Sequence, residues 1–481
     1  MYEVRDKEGV LTMVTAILIG AGGRGRGAYG NWALRNKEKM KFVAVADPVD
    51  KRRNQFAEEH GIAAENVYKS WEDILAQKKM ADLCVIATQD QMHTAPALKA
   101  LELGYHVMLE KPMATTQEEC YRISKKAEET GKQLWIAHVL RYTPFFATIK
   151  KVLQEGEIGK VINIEHSENI SYWHFAHSYV RGKWSCSEKS SPLILAKTSH
   201  DLDILYWLAD STAEKVSSFG NLSFYRPENT PPGATERCME GCEVADTCQW
   251  YAPRIYLQAE PVLQIGMRSK YLYKRIIAWL ALHHPMAVSF MGLFYPPLRI
   301  LANRNLWPIS AITDDYTEES KYRAIKNGPY GNCVYQCDNN VCDNQVVNIE
   351  FKNGITAALR VHGMASYEGR WIRVEGSKGI LWGKFSVEDQ QIIVYDHYHV
   401  RKKVLFNVDL DLSGHMGGDD GIMEAIADSL KSGKSDNSAV LTSGKTSLES
   451  HFMAFAAEKS RLENEVVFLD EMRNKVRKET G

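Results

Sequence analysis

A lysine between a predicted strand and a predicted helix is the first candidate for chemistry. Lys111 follows the apolar run 106–109 and precedes Pro112, and Thr115 with Glu118 predicts a capping box for the next helix. In a doubly wound sheet, ligands bind beyond the carboxyl ends of the strands, so this amine would point into a ligand crevice. The alternative is an ordinary surface lysine.

A glycine-rich turn is the second candidate. The run 14–19, rich in β-branched residues, ends in the sequence Gly20-Ala21-Gly22-Gly23-Arg24-Gly25. In a dinucleotide site, Gly20 permits a tight turn, Gly22 lets the backbone approach a pyrophosphate, and Gly25 lets the next helix pack closely. The phosphates would lie at that helix's N-terminus, where free N–H groups favour an anion. The same glycines are also compatible with a turn that binds nothing.

An aspartate ends the next predicted strand, 42–46. Asp47 lies about 20 residues beyond the last glycine, where a dinucleotide-binding fold places the acid that holds the adenosine ribose. A carboxylate there repels a 2′-phosphate and favours NAD(H). The basic residues at 51–53 leave NADP(H) open.

The elements that must position these residues alternate along the chain. After Asp47 we predict a helix over 51–60, a strand over 83–88, a helix over 94–103 and the strand 106–109. Strands that alternate with helices predict a doubly wound parallel sheet, and thus an α/β protein with an N-terminal Rossmann domain.

Length and composition restrict the class further. A chain of 481 residues with 44% hydrophobic residues can bury a large core in two or three domains. Lys and Arg (59) balance Asp and Glu (60), so we expect neither a nucleic-acid nor a membrane partner. The chain shows no secretory signal pattern, which predicts a cytoplasmic protein with reduced cysteines.

These residues together resemble the Gfo/Idh/MocA oxidoreductases, which include glucose-fructose oxidoreductase and inositol dehydrogenase. The Glu110-Lys111-Pro112 element is the most specific part of the resemblance. It implies bound NAD and a catalytic role for Lys111 beside the nicotinamide, whose positive ring and partial burial would lower the amine's pKa. The implied cofactor-binding residues are Gly20, Gly22, Gly23, Arg24, Gly25, Asp47, Thr88, His93, Glu110 and Lys111.

A second motif lies at residues 197–203. The resemblance implies that His200 is the catalytic histidine, which can accept the hydroxyl proton as hydride leaves. The family's acid four residues earlier is Ala196 here, and Lys197 follows it. The proton relay or the substrate contacts must therefore differ, and the family's substrates cannot be carried over.

Candidate substrate contacts come from three further segments. The resemblance implies that Arg141 belongs to the stretch that follows the family's sixth strand and lines the cleft; the alternative is a structural salt bridge. The ring-rich stretch 172–181 could stack on sugar faces and read hydroxyl groups, or supply core residues. His415 either approaches the substrate or braces a turn. The predicted substrate contacts are Arg141, Tyr172, His174, His177, Arg181, Lys197 and His415.

The remainder of the chain predicts a second domain. Alternation from Val161, and hairpin turns at Asn353-Gly354 and Lys378-Gly379, favour an α+β domain with a large, mostly antiparallel open sheet. We assign 1–13 to a disordered lead, 14–141 to the Rossmann domain, and 142–481 to the substrate-binding and oligomerisation domain. The resemblance implies a homodimer or homotetramer.

An insertion at about 225–345 carries two unusual features. Cys238, Cys242, Cys248 and Cys333 lie in its cysteine clusters, which leave a structural zinc, free thiols and partial disulfides open. The runs 275–282 and 287–293 are apolar and too short to span a bilayer, so a buried helix or a subunit contact is expected.

The sequence therefore predicts an NAD(H)-dependent dehydrogenase acting on a secondary alcohol of a sugar, polyol or glycoside. A redox glycoside hydrolase that recycles its cofactor is one alternative. A non-catalytic dinucleotide sensor is another, although the presence of both Lys111 and His200 argues against it.

Overall fold

A computed structural model describes residues 13–295, 297–302, 306–315, 317–398, 402–411, 413–432 and 441–480. The predicted disordered lead lies outside the described residues, apart from Met13. None of the described helices is long and apolar enough to cross a membrane.

The first domain is built on a six-stranded parallel sheet. Its strands are β1 (Val14–Ile19), β2 (Met40–Ala46), β3 (Val67–Tyr68), β4 (Leu83–Ile86), β5 (His106–Leu109) and β6 (Leu134–Ile136). They lie in the order β3-β2-β1-β4-β5-β6. The order reverses direction between β1 and β4, and this switch point opens the crevice in which such sheets bind ligands. The predicted doubly wound sheet is confirmed.

Five helices cover this sheet: α1 (Asn31–Arg35), α2 (Asp50–His60), α3 (Trp71–Leu75), α4 (Thr94–Glu102) and α5 (Gln117–Thr130). The central strands are fully buried because helices cover both faces. The predicted capping box of α5 was displaced by one residue. The N-cap is Thr116, whose hydroxyl accepts a 3.2 Å hydrogen bond from the Glu119 N–H.

The second domain is built on a nine-stranded mixed sheet in the order β14-β13-β12-β11-β7-β10-β9-β8-β15. Its strands are β7 (Val161–Ser171), β8 (Ala213–Asn221), β9 (Asn344–Phe351), β10 (Thr356–Ala365), β11 (Gly369–Gly376), β12 (Gly379–Ser386), β13 (Asp389–Asp396), β14 (Lys402–Asp409) and β15 (Val467–Phe468). Only β7 and β10 pair in parallel, and both predicted hairpins form.

Thirteen helices accompany this sheet in the described residues. They are α6 (Pro144–Gln154), α7 (Tyr172–Phe175), α8 (Leu193–Ala196), α9 (Ser199–Ala209), α10 (Ala252–Tyr256), α11 (Glu260–Met267), α12 (Leu272–His283), α13 (Pro285–Met291), α14 (Pro297–Ala302), α15 (Glu318–Asn327), α16 (Gly418–Lys431), α17 (Gly444–Glu463) and α18 (Leu469–Thr480). One face of the sheet packs on α6, α9 and α17, which form the second domain's main core.

A C-terminal segment returns to the first domain. The apolar face of α16, including Ile422 and Ile426, is buried in the core of the Rossmann sheet. The Ile136 N–H donates a 2.9 Å hydrogen bond to the Thr442 carbonyl beside β6. The two domains therefore share an interface that brings residues near 415–420 to the glycine-rich turn.

Candidate active site

The glycine-rich turn has the geometry of a dinucleotide cradle. Gly20 has φ +96°, and a Cβ on Gly25 would lie 2.0 Å from the Gly20 carbonyl oxygen. No heavy atom lies within 4 Å of the Cβ position of Gly22 or Gly23. The turn therefore packs tightly beneath and leaves open backbone above, which is the surface a pyrophosphate needs.

Asp47 lies at the end of β2 and braces this turn. Its carboxylate accepts 2.8 Å hydrogen bonds from the N–H groups of Ala21 and Val49. A carboxylate oxygen has two lone-pair sites, so these bonds leave capacity for ribose hydroxyl groups.

The basic residues after Asp47 are each engaged elsewhere. Lys51 donates to the Asp314 carbonyl, and Arg52 contacts the Asp314 carboxylate at 3.0 Å. Arg53 pairs with Asp50 at 2.6 Å and donates to the Asp47 carbonyl. Each of these cations already has an oxygen partner within the protein. This pairing argues against their use in binding the 2′-phosphate of NADP(H).

Arg24 joins the glycine-rich turn to two acids from distant parts of the chain. Its guanidinium contacts Glu110 at 2.6 Å and Asp419, at the start of α16, with two bonds of 2.8 Å. It also donates to the Tyr29 hydroxyl, which in turn donates to Glu110. Burial opposes ionisation of Glu110, but Arg24, the Tyr29 hydroxyl and Lys111 together outweigh it and hold the carboxyl pKa below its ordinary value.

Lys111 leaves the carboxyl end of β5 and reaches the second domain. Its ammonium group donates to the carbonyl of Ala196, the last residue of α8. Burial lowers the pKa of Lys111 to about 8, although Asp90 and Glu110 oppose that shift. The expected placement in the crevice is observed, and the amine can exchange a proton near neutral pH.

Thr88 and His93 follow β4. His93 is buried, with Nδ1 2.7 Å from the Pro112 carbonyl and Nε2 3.4 Å from the Thr88 carbonyl. The Thr88 hydroxyl donates to the Met92 carbonyl at 3.4 Å. His93 therefore holds two loops of the crevice against each other, and its contact with the cofactor stays a prediction.

His200 lies in a row of histidine rings across the domain interface. Its ring centroid is 5.6 Å from His138 and 6.1 Å from His415, and His138 is 5.5 Å from His451. His200 Nδ1 is buried and has no hydrogen-bond partner among the described residues. Burial, and then the charge of Lys111, hold the His200 pKa well below its ordinary value, so its imidazole is neutral and can accept a hydrogen bond from a hydroxyl group but is a weak base.

Lys197 follows Ala196, which stands where the family has an acid. Its side chain lies in a buried cluster of charged groups. Its ammonium group is 3.3 Å from both Glu168 and Glu368. Arg370 contacts Glu168 at 2.8 Å and Asp201 at 2.7 Å. Burial alone would lower the Lys197 pKa, but the two glutamates outweigh it and raise that pKa. The carboxylates beside Lys197 come from β7, which carries Glu168, and from Glu368 in the turn before β11.

The ring-rich stretch 172–181 stays a predicted substrate wall, and the structure gives the surroundings of its rings. His174 Nδ1 lies 2.7 Å from the Glu368 carboxylate, and His177 stacks on Tyr330 at 4.9 Å. Trp307, which the sequence reasoning missed, packs 4.6 Å from His174 and 5.3 Å from His177. Tyr172 instead faces a small pocket that it shares with Glu368 and α11.

Arg141 and Arg181 were both predicted to contact the substrate. In the structure both are hydrogen-bonded to groups of the protein. Arg141 forms a buried bidentate pair with Asp203 at 2.6 and 2.7 Å, which is the structural alternative weighed from the sequence. Arg181 donates to the carbonyls of Asn332 and Trp250 at 2.7 and 2.9 Å. Arg181 is not placed with Lys111 and His200, because the chain turns it into the interior of the insertion.

The candidate zinc ligands surround one interior pocket but do not form a metal site. Cys238, Cys242, Cys248 and Cys333 line this pocket with Arg181, whose Nη2 is 3.4 Å from Cys238 Sγ. Among the described residues, no three Cys, His, Asp or Glu side chains are arranged to hold a metal ion. The expectation of a structural zinc is therefore not supported, and all nine cysteines are free thiols.

Three further residues near the site were not predicted from the sequence. Asp419 pairs with Arg24, Glu368 pairs with Lys197 and His174, and Asp90 accepts hydrogen bonds from Trp184 and Ser191 near Lys111. Each depends on a contact across many residues. An acid at the start of a helix, as at Asp419, offered at most a weak signal.

Comparison with known proteins agrees with this geometry. Residues 14–138 match the oxidoreductase family's NAD-binding Rossmann domain, and residues 150–251 match its C-terminal alpha/beta domain. The chain is 23% identical over 369 residues to the Bacillus subtilis oxidoreductase YteT, a match that covers 73% of each chain. It is 29% identical over 184 residues to the same organism's scyllo-inositol 2-dehydrogenase (NAD(+)), covering 38% of this chain and 50% of that enzyme.

A solved structure shares the fold across nearly the whole chain. The oxidoreductase from Agrobacterium radiobacter, in complex with NAD+, L-tartaric acid and magnesium, superposes with a TM-score of 0.61 at 16% identity. The superposition covers 95% of this chain and 99% of that one. The two-domain arrangement seen here is therefore also found in an oxidoreductase with its dinucleotide bound.

Proposed function

We propose that this chain, which belongs to the Gfo/Idh/MocA oxidoreductase family, transfers hydride between NAD(H) and a secondary alcohol carbon of a sugar, polyol or glycoside. The observation that carries the proposal is the position of Lys111. A buried amine with a pKa of about 8 projects from the carboxyl end of β5 and touches the segment that holds His200.

The residues of the first domain fit NAD. The open backbone at Gly22 and Gly23 would receive the pyrophosphate, and Asp47 would hold the adenosine ribose. When bound, NAD⁺ accepts the hydride from the alcohol carbon. The ion pairs of Arg24 with Glu110 and Asp419 hold the turn against the second domain and fix the depth of the cleft.

The proton is handled by the protein. As the alcohol C–H bond breaks with its electron pair, the hydroxyl O–H bond must release a proton for the carbonyl to form. Lys111 in its neutral form accepts that proton, because its pKa of about 8 lies near the working pH. The neutral His200 imidazole, whose pKa is held well below its ordinary value, accepts a hydrogen bond and helps to orient the hydroxyl group. Lys111 is placed to return the proton in the reverse reaction, because a group with pKa near the working pH serves as both acid and base.

The second domain supports a polar substrate rich in hydroxyl groups. Lys197, Glu368 and His174 form a hydrogen-bonded array in which donors and acceptors lie side by side. Trp307 adds an aromatic surface beside that array, as sugar-binding clefts use. The identity of the sugar or polyol is decided by the contacts that this array makes with individual hydroxyl groups.

We also propose that the chain forms the homodimer or homotetramer that the resemblance implies. The outer face of the nine-stranded sheet supports it, since Phe219 and Val346 are exposed on neighbouring strands there. Apolar side chains on an open sheet face are typical of subunit contacts.

The test is NADH formation by the purified full chain, after removal of bound cofactor, with NAD⁺ and a panel of sugars, inositols and aryl glycosides. Lys111→Ala should lower the rate by about 10²- to 10⁴-fold while NAD⁺ affinity changes little. Lys189→Ala, at an exposed lysine, is the matched control and should retain full activity.

The same assay separates the alternatives. Aglycone release from aryl glycosides without net NADH would favour the redox hydrolase over the dehydrogenase. Dinucleotide binding with neither product, in wild type and variant alike, would overturn the enzymatic proposal for this panel and favour the sensor.

A further inference from the structure

We propose that the outward face of α12, α13 and the turn after them binds the surface of an anionic lipid bilayer. This surface, here called the insertion face, comprises residues 271–295 within the insertion at about 225–345. It is independent of the proposed oxidoreductase activity, and it was not expected from the sequence, which predicted no membrane partner and a buried or subunit-covered helix pair.

The insertion face presents large apolar side chains at helical spacing. On α12, Leu272, Ile276 and Trp279 recur every three or four residues and are 47–65% exposed. On α13 and the following turn, Met286, Phe290 and Phe294 continue the pattern and are 64–86% exposed. Roughly half of the exposed large apolar side chains among the described residues lie between 271 and 307, a concentration that marks an interaction site.

These exposed side chains are not the ones that hold the insertion together. The helices pack on each other through the buried residues Ala281 and Val288, with Leu263 of α11 and Leu298 of α14. Ala278 is buried against Gly266 of α11. The opposite stripe therefore remains free after the insertion has folded. Of the two expectations for these runs, a buried helix is not what the structure shows, because the helices bury one side, with Ile277, Leu280 and Leu282 against the cluster, and leave the other exposed. The subunit contact stays a prediction.

The part of the insertion that carries the insertion face is basic, although the whole insertion from 225 to 345 is balanced, with twelve Lys and Arg residues and twelve Asp and Glu residues. From Pro261 to Thr313 the sequence contains no aspartate or glutamate, whereas the whole chain is nearly neutral. Lys270 and Arg275 are exposed beside the apolar stripe, and neither forms an ion pair within the described part of the chain. Basic residues that border an apolar helix face complement the negative surface potential of anionic lipids.

This charge argues for lipid over a second copy of the chain. A twofold contact would place the same patch against itself, so basic side chains would face basic side chains with no acid in the segment to neutralise them. Tyr271, Tyr273 and Trp279 are also residues that prefer the boundary between water and hydrocarbon. The helices are too short to cross a bilayer, so binding would lie in the plane of the interface.

The insertion also connects the insertion face with the candidate active site. Trp307 packs against His174 and His177, and Asp314 pairs with Arg52 of the first domain. Docking through the insertion face would therefore hold the cleft close to the membrane.

The test is flotation of the full chain with vesicles of phosphatidylcholine alone or with 30% phosphatidylglycerol. We expect co-flotation with the anionic vesicles and weaker co-flotation with the neutral ones or at high salt. The double variant Phe290→Ser, Phe294→Ser should lose at least tenfold in partition per phenylalanine. Lys270→Gln and Arg275→Gln should lose about fivefold each on anionic vesicles only.

Leu462→Ser is the matched control, since Leu462 is an exposed apolar residue of α17 outside the insertion face. It should bind vesicles like the wild type. A cooperative thermal unfolding transition in every variant confirms that the fold is intact without use of NAD⁺, so failure here is separable from failure of the oxidoreductase proposal. Equal flotation of the phenylalanine and leucine variants would overturn the proposal. So would an absence of vesicle binding together with a dimer that only the phenylalanine variant dissociates, which would assign the face to a second copy.

Discussion

At the scale of single residues, we propose that the charges around Asp47 decide which dinucleotide the cleft accepts. In the proposed NAD site the Asp47 carboxylate would hold the adenosine ribose, and the nearby cations are paired with Asp314 and Asp50. A 2′-phosphate would meet a negative charge without a free cation to balance it. This arrangement favours NAD(H) over NADP(H) by several kcal/mol of like-charge repulsion.

We therefore expect Asp47→Ser to shift the ratio of NAD⁺ to NADP⁺ affinity by about 100-fold toward NADP⁺. Most of the change should come from relieved repulsion, with a smaller loss of NAD⁺ affinity from the missing ribose contact. Titration calorimetry with both dinucleotides measures this. Asp73→Ser, at an exposed position at the start of α3, is the control. An unchanged ratio in Asp47→Ser would show that Asp47 does not contact the ribose.

At the scale of elements, the junction of β1 with the following helical turn depends on close backbone contact. The turn Gly25–Gly30 leads into α1, and Gly25 lies directly against Gly20. Gly27 lies in the same turn, but its Cβ position has no heavy atom within 4 Å. The two glycines therefore separate the effect of crowding from that of helix propensity.

Gly25→Ala should weaken NAD⁺ binding by about 10- to 100-fold, because overpacking of 1–3 kcal/mol displaces the turn from its binding geometry. Gly27→Ala should bind within about twofold of wild type. Fluorescence titration with NADH measures both, and thermal unfolding reports the cost to stability. If the two variants bind equally well, the close packing at Gly25 does not shape the site.

At the scale of the whole molecule, several buried histidines couple stability to pH. Burial lowers the pKa of His177 and of His451 to about 3, and holds those of His138 and His200 well below the ordinary value. In the unfolded chain these side chains take up protons below about pH 6.5. Unfolding therefore binds protons in acid, so the free energy of unfolding is full above pH 6.5 and falls as the pH decreases.

Each such histidine should contribute a slope of up to about 1.4 kcal/mol per pH unit between pH 6.5 and 4.5. Urea unfolding across that range measures the sum. His177→Phe, which keeps a ring against Tyr330, should reduce the slope by one such contribution. His397→Gln, at an exposed position, should leave it unchanged. Parallel slopes for wild type and His177→Phe would contradict the assignment.

The local elements and the first half of the site were accessible from sequence because their signals are short in range. The strand run 14–19 and the glycines after it show a periodicity and a turn within a few residues, and Asp47 follows at the spacing of a dinucleotide fingerprint. The role of Lys111 came instead from the family resemblance of Glu110-Lys111-Pro112, and it stays a prediction. The parallel sheet then follows, because strands that alternate with helices have few compact arrangements. Even so, a local signal fixed the helix start only to within one residue, as at Thr116.

Only the tertiary structure decided which charges meet. Asp419 reaches Arg24, Glu368 reaches Lys197, and Trp307 reaches His174 across separations that no local pattern encodes. The same holds for Arg141 and Arg181, whose partners are distant carboxylates and carbonyls. The exposure of the insertion face could not be predicted from sequence either. An apolar run has the same sequence pattern whether a core, a partner or a membrane covers it. Sequence specifies side-chain chemistry and local geometry, whereas burial and pairing depend on how the whole chain packs.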